Sequence, residues 1–256
     1  MKLGIVGKGG VGKTTVSALL AQAYARRGAR VVAIDTDSNP NLGLSLGLAF
    51  ADMEAVPVLP RSLIVGAGGD TTAEELIRDY GRPTPSGATL LSAIRVTEAA
   101  AGCQCGGHAT VRSFLGDALD QQADVTLVDM EAGLEHLSRS GGTLAYADVL
   151  LVVMEPSRKS VLTAARTLAL AEDLGIERVY GVGNKARDSE DAAFFRRAAG
   201  EYGVPLAGVV GYDPQVAEAD RDGSAVVGTA PDEVLAQIDG VIDFVERAGS
   251  AISAAG

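Results

Sequence analysis

The chain is poor in cysteine, short of basic residues and without long apolar runs, and each deficit excludes something. Its 256 residues include only two cysteines, Cys103 and Cys105. A disulfide between them would close a tiny, strained loop and stabilise little, so a disulfide scaffold is excluded. Metal or redox use in a reducing compartment is the better starting point. Lys and Arg number 22 against 33 Asp and Glu, a formal net charge of −11. That balance argues against a large nucleic-acid footprint, which needs a basic patch, and against a basic anchor on an anionic membrane. The stretch from Asp232 to Gly256 holds one arginine, Arg247, and no lysine, so it forms no basic tail. No apolar run reaches the roughly 18 residues of a membrane span. The opening run Met1–Val6 is too short for a signal peptide. The expectation is a cytoplasmic protein with no nucleic-acid and no membrane partner.

What is present is a packed chain, 47% apolar, long enough for one large α/β domain over residues 1–256. Strand and helix signals alternate. The strands are Leu3–Val6, Arg30–Asp35, Asp124–Asp129, Val149–Met154, Arg178–Val182 and Leu206–Val210, with weaker candidates at Leu63–Gly66 and Leu90–Val96. The helices are Thr14–Arg27, Ala109–Gln122, Ser160–Leu174, Asp188–Glu201 and Glu233–Val245. This alternation predicts a mostly parallel central sheet flanked by helices on both faces. Residues 38–107 are the least regular stretch and read as an excursion from the sheet that carries the specialised function. Ligands of such sheets bind beyond the C-terminal strand ends.

One loop dominates the chemistry. Residues 7–14, Gly-Lys-Gly-Gly-Val-Gly-Lys-Thr, fit the phosphate-binding pattern G-x-x-x-x-G-K-[ST]. Gly7, Gly9, Gly10, Val11, Gly12, Lys13, Thr14 and Thr15 therefore bind the nucleotide. Backbone N–H groups cradle its phosphates, Lys13 reaches the β- and γ-phosphates, and the Thr14 hydroxyl holds Mg²⁺. Gly7, Gly9 and Gly12 also satisfy a dinucleotide fingerprint, but such a helix has no use for Lys13-Thr14 at its start. The loop carries a second lysine, Lys8, that an ordinary phosphate loop does not need. It points to a site completed by more than one chain. Asp129, at a strand end, is placed to hold Mg²⁺ through its water shell. Asp37 is read as orienting the attacking water and Asp35 as supporting the metal shell. Asn184 offers a donor and an acceptor to the adenine edge, with Tyr212 in Gly211-Tyr212-Asp213-Pro214 closing the other side. The cofactors are ATP/ADP and Mg²⁺.

Cys103 and Cys105 lie two residues apart among Gly102, Gly106 and Gly107, just before the predicted helix at Ala109. Two thiolates at this spacing can approach one soft metal ion. A four-thiolate site needs four sulfurs, and a symmetric dimer supplies the other pair. The spacing alone is equally compatible with inert thiols. His108, three residues after Cys105, reads as a surface-loop residue or as a further or alternative metal ligand, and His136 as a structural hydrogen-bonding residue.

With Gly-Lys-Gly-Gly-Val-Gly-Lys-Thr-Thr, Asp35-Thr36-Asp37 and Asp129-Met130-Glu131-Ala132-Gly133 in order, the chain resembles the deviant Walker A ATPases. These include MinD/ParA partitioning proteins, nitrogenase iron protein and metal-centre assembly ATPases. Cys103-Gln104-Cys105, Ser113-Phe114-Leu115-Gly116 and the run Asp129–Leu137 resemble the CooC-type accessory ATPases of nickel carbon monoxide dehydrogenase. The resemblance implies that Lys8 contacts nucleotide phosphate across a homodimer interface. It also implies that Cys103 and Cys105 bind Ni²⁺ or Zn²⁺ there, and that ATP-driven dimerisation serves nickel insertion into a client, carbon monoxide dehydrogenase. Two other readings keep the same nucleotide site: a MinD/ParA-like positioning ATPase, and an electron-transfer ATPase with a bridging iron–sulfur cluster.

Overall fold

The computed structural model describes residues 1–60, 72–93, 122–130 and 147–253. An eight-stranded sheet runs through them in the order β3-β4-β2-β5-β1-β6-β7-β8. Its strands are β1 (Lys2–Gly7), β2 (Val31–Asp35), β3 (Arg82–Pro83), β4 (Thr89–Ser92), β5 (Val125–Asp129), β6 (Val149–Met154), β7 (Val179–Ala186) and β8 (Leu206–Gly211). Every pairing is parallel except β3 with β4. The helices are α1 (Lys13–Arg26), α2 (Leu42–Ser45), α3 (Phe50–Glu54), α4 (Ala73–Tyr80), α5 (Arg158–Asp173), α6 (Ser189–Glu201), α7 (Pro214–Asp222) and α8 (Asp232–Ser253).

Alternation along the strands explains the two-sided core. Side chains two apart on a strand share a face. Val149, Leu151 and Val153 join Leu3 and Ile5 beneath α1 and α8, where Leu19, Leu20, Val241 and Ile242 meet them. Leu150, Val152 and Met154 join Val32 and Ile34 on the opposite face, against Val161 of α5 and Phe195 of α6. Both faces of β6 are buried, which is why that strand reads as an uninterrupted apolar run.

Most expected elements are present, and the differences have local causes. The strand expected at Arg178–Val182 runs on to Ala186, so Asn184 and Lys185 lie within β7 and do not follow it. The β7–β8 register shifts between Gly183 and Ala186, and this irregularity lets pairing resume at Ala186 and Gly211. Helix α8 continues to Ser253, beyond the expected Val245. Within the 38–107 stretch, the described residues hold α2, α3, α4, β3 and β4, and β4 pairs in parallel with β2. Helix α4 carries a reciprocal cap: the Thr72 hydroxyl accepts from the Glu75 N–H while the Glu75 carboxylate accepts from the Thr72 N–H. Helix α7 starts on Asp213, whose carboxylate accepts from the N–H groups of Gln215 and Val216, with Pro214 at the first helical position. The strand candidate Leu63–Gly66 and nearly all of the helix candidate Ala109–Gln122 lie outside the described residues.

Candidate nucleotide site

The phosphate loop joins the C-terminal end of β1 to the first turn of α1. Gly12, at φ +90°, caps the helix, and a side chain there would collide with the Asn184 amide. Glycine is therefore required twice over, by the left-handed backbone and by the close approach. Lys8, Gly9 and Gly10 are exposed, while Lys13 is buried beneath them.

The parallel pairing of β2 with β5 sets Asp35 directly beside Asp129. Thr14 donates its hydroxyl to Asp129 Oδ2 at 2.7 Å, and Ser17 donates to Oδ1 at 2.9 Å. Ser17 sits one turn after Thr14, so both hydroxyls face the same strand end. Ser17 stands outside the phosphate-loop pattern, and its spacing from Thr14 is the one sequence signal for this role. Asp35 is the last residue of β2. Its two oxygens accept the backbone N–H groups of Asp37 and Leu42, at 3.0 and 2.9 Å, so it shapes the turn leaving β2. Thr36 donates its hydroxyl to the Asp129 carbonyl at 2.8 Å and ties the two strand ends together. Asp37 is half-buried and accepts the Asn39 N–H.

Burial is the main force on both buried acids. It pushes the Asp35 carboxyl up to about 7, helped by the neighbouring Asp129 charge and opposed by the two backbone N–H groups. It lifts Asp129 to about 6, opposed by the Thr14 and Ser17 hydroxyls and by the Lys13 ammonium. The donor set, one hydroxyl and adjoining carboxylates, is all hard oxygen and suits a small divalent cation such as Mg²⁺.

The elevated proton affinity has a thermodynamic consequence. A carboxyl with a folded value above its unfolded one binds protons more tightly in the folded state. The contribution of the Asp35 carboxyl to stability is fully present below about pH 4 and is lost as pH rises through about 7. Chemical denaturation in EDTA, without nucleotide, will therefore show this part of the stability decreasing between pH 5 and 7.5. Asp35→Asn will flatten the trend; an unchanged slope in that variant would refute the assignment.

On the far side of the loop lies a cavity of about 590 Å³, lined among others by Thr15, Asn184, Lys185, Gly211, Tyr212 and Asp213. Asn184 and Tyr212, read from the sequence as the base site, thus share one cavity with the end of the phosphate loop. The buried Asn184 also donates Nδ2 to the Val11 carbonyl at 2.8 Å, a use the sequence did not reveal. Lys185 donates Nζ to the Gly10 carbonyl at 2.7 Å. Cys103, Cys105, His108 and His136 lie outside the described residues, as does the Glu131–Gly133 segment after Asp129. Among the described residues, no helix is long and apolar enough to cross a membrane, and no group of three or more His, Cys, Asp or Glu is placed to hold a metal ion.

Known proteins resemble this chain in sequence and in fold. The chain is 34% identical over 245 residues to the carbon monoxide dehydrogenase accessory protein CooC of Rhodospirillum rubrum, covering 90% of this chain and 91% of the relative. It is 33% identical over 239 residues to an uncharacterized ATP-binding protein of Methanocaldococcus jannaschii, covering 88% and 91%. Its fold superposes with a TM-score of 0.67 on the septum site-determining protein MinD complexed with Mg-ADP from Pyrococcus horikoshii, at 22% identity and with 96% and 95% of the two chains covered. Residues 5–226 match the CobQ/CobB/MinD/ParA nucleotide binding domain. Phosphate loop, acid-tipped parallel strands and matched length together place this chain in the CobQ/CobB/MinD/ParA family of P-loop nucleotide-binding proteins.

Proposed function

We propose that this protein is an ATP-hydrolysing metallochaperone that works as a homodimer and assists nickel insertion into a client enzyme, with carbon monoxide dehydrogenase as the candidate client. The observation carrying this reading is a coincidence within one chain. The chain shares 34% identity with a carbon monoxide dehydrogenase accessory protein, a second lysine in the phosphate loop, and an isolated Cys-x-Cys in a chain with no other cysteine.

The proposed mechanism uses the site as built. Loop N–H groups and Lys13 bind the triphosphate. Thr14 and Asp129 are the residues that would hold Mg²⁺, which when bound neutralises charge on the β- and γ-phosphate oxygens. Asp37 accepts a hydrogen bond from water and orients it for attack on the γ-phosphorus. The bond between that phosphorus and the β–γ bridging oxygen breaks, giving ADP and phosphate. Lys8, exposed on the loop's outer face, reaches the γ-phosphate of the partner copy and stabilises charge developing there. Asn184 and Tyr212 flank the adenine. Each copy contributes Cys103 and Cys105 to a shared nickel or zinc ion, which is cargo rather than a resident cofactor. Nucleotide and metal then bias the same dimer, so each changes the affinity for the other by an equal factor.

Nickel titration of the wild type and a Cys103→Ser/Cys105→Ser variant tests the metal half. The wild type is expected to bind one nickel per two chains, and the variant to lose affinity by at least about a hundredfold. Equal affinity and stoichiometry in both would end the proposal. One metal per chain without dimerisation would refute the shared site.

A further inference from the structure

The segment Asn184-Lys185 does more than face a base. Two consecutive side chains of β7 grip two consecutive carbonyls of the phosphate loop: Lys185 Nζ holds Gly10 and Asn184 Nδ2 holds Val11. These contacts join residues 175 and 173 positions apart in the chain. Lys185 makes its contact from an unusual backbone. Its φ of 61° is the only positive value at a non-glycine residue among those described. It falls where the β7–β8 register shifts. An L-residue with a side chain of this size is costly in the left-handed region, and a glycine or asparagine would relieve the strain. Strain retained at one position, with the side chain aimed at a functional loop, points to a role for that side chain.

Peptide geometry says what the grip does. In a trans peptide the carbonyl of one residue and the N–H of the next point in opposite directions. Holding the Gly10 and Val11 carbonyls toward β7 turns the N–H groups of Val11 and Gly12 away from it, into the loop. The Val11 N–H accordingly faces the Lys8 carbonyl, at 3.5 Å, the far limit of a hydrogen bond. It remains available to a stronger acceptor such as a phosphate oxygen.

We infer that Lys185 is a positioning residue that pre-shapes the phosphate loop by holding the Gly10 carbonyl, and so sets nucleotide affinity without selecting the base. This rests on the nucleotide-site reading above. With the latch gone, the incoming phosphates must order the loop themselves, and part of the binding free energy is spent on that ordering.

The decisive variant is Lys185→Gly, which removes the latch and the backbone strain together. Displacement of a fluorescent ADP analogue by ADP and by GDP, with Mg²⁺ present, reads affinity; thermal unfolding without nucleotide reads stability. The variant is expected to bind ADP about tenfold more weakly, the scale of one charge-assisted hydrogen bond. GDP should weaken by the same factor, and the unfolding midpoint should be unchanged or higher. Lys185→Arg, which can still donate to Gly10, should recover most of the affinity. ADP affinity within about twofold of wild type in Lys185→Gly would overturn the inference. So would a loss confined to one base, or a loss accompanied by a lower midpoint. If the wild type binds no nucleotide at all, the nucleotide-site reading fails instead, and the two failures are thereby distinguished.

Discussion

Replacing Lys13 with alanine is expected to cut ATP hydrolysis by about a thousandfold or more, the scale for removing a pre-placed positive group from developing phosphoryl charge. Lys13 leads α1 and is 9% exposed, so its ammonium acts where water is largely excluded and Coulomb attraction is strong. It also opposes the burial-driven rise of the Asp129 proton affinity. The variant therefore leaves Asp129 buried with less compensating charge, and nucleotide affinity should fall along with turnover. Lys13→Arg is not a rescue. A planar guanidinium is wider than an ammonium, and the loop encloses a compact point charge. Steady-state phosphate release, with ADP affinity measured in parallel, checks the outcome. Hydrolysis within tenfold of wild type would contradict the assignment of this loop.

Lys8→Ala should separate what Lys13→Ala merges. Lys8 is exposed in the single chain, so its removal costs the isolated site little and ADP affinity should stay within about threefold of wild type. Turnover should nonetheless drop by about a hundredfold or more, because a cation supplied across an interface acts on the transition state. The loss should be in kcat rather than in substrate binding. Mixing tests the trans assignment: adding an excess of Lys13→Ala chains, which keep Lys8, to Lys8→Ala chains should restore measurable hydrolysis. The mixed dimer contains one site with Lys13 of its own and Lys8 from the partner. A Lys8→Ala enzyme with unchanged kcat, or no recovery on mixing, would argue against a shared site.

The legible parts of this protein are the parts written in contiguous residues. The phosphate loop is eight consecutive residues whose spacing states their chemistry. Strand β6 is a run of apolar residues because both its faces are covered, and its bounds in the sequence and in the structure coincide. Asp129 was visible as an acid terminating such a run. Other features depend on residues far apart in the chain. Nothing near Asn184 announces that its amide will hold the Val11 carbonyl. The apolar run of β7 ends at Val182, so the sequence signal stops there, whereas the pairing with β8 absorbs the irregularity and continues to Ala186. The place of Asp35 at a strand end is legible, but the backbone N–H groups its oxygens hold are brought to it only by the folded turn. Helices α2 and α3, of four and five residues, are too short to display a period. Helix α4 does carry a sequence signal, the Thr72-x-x-Glu75 cap. Tyr212 stands out in the sequence through its neighbours: Gly211 ends β8, Asp213 caps α7 and Pro214 starts it.

The central claim is that nucleotide and metal act on one dimer. The most direct measurement is native mass spectrometry of nickel-loaded wild-type protein, with a non-hydrolysable ATP analogue and separately with ADP, reporting chains and nickel ions in each complex. The account predicts that the analogue yields complexes of two chains, two nucleotides and one nickel, and that ADP shifts the population toward single chains that retain less metal. Equal dimer content and equal nickel in both nucleotide states, or a single chain carrying its own nickel with the analogue bound, would contradict it.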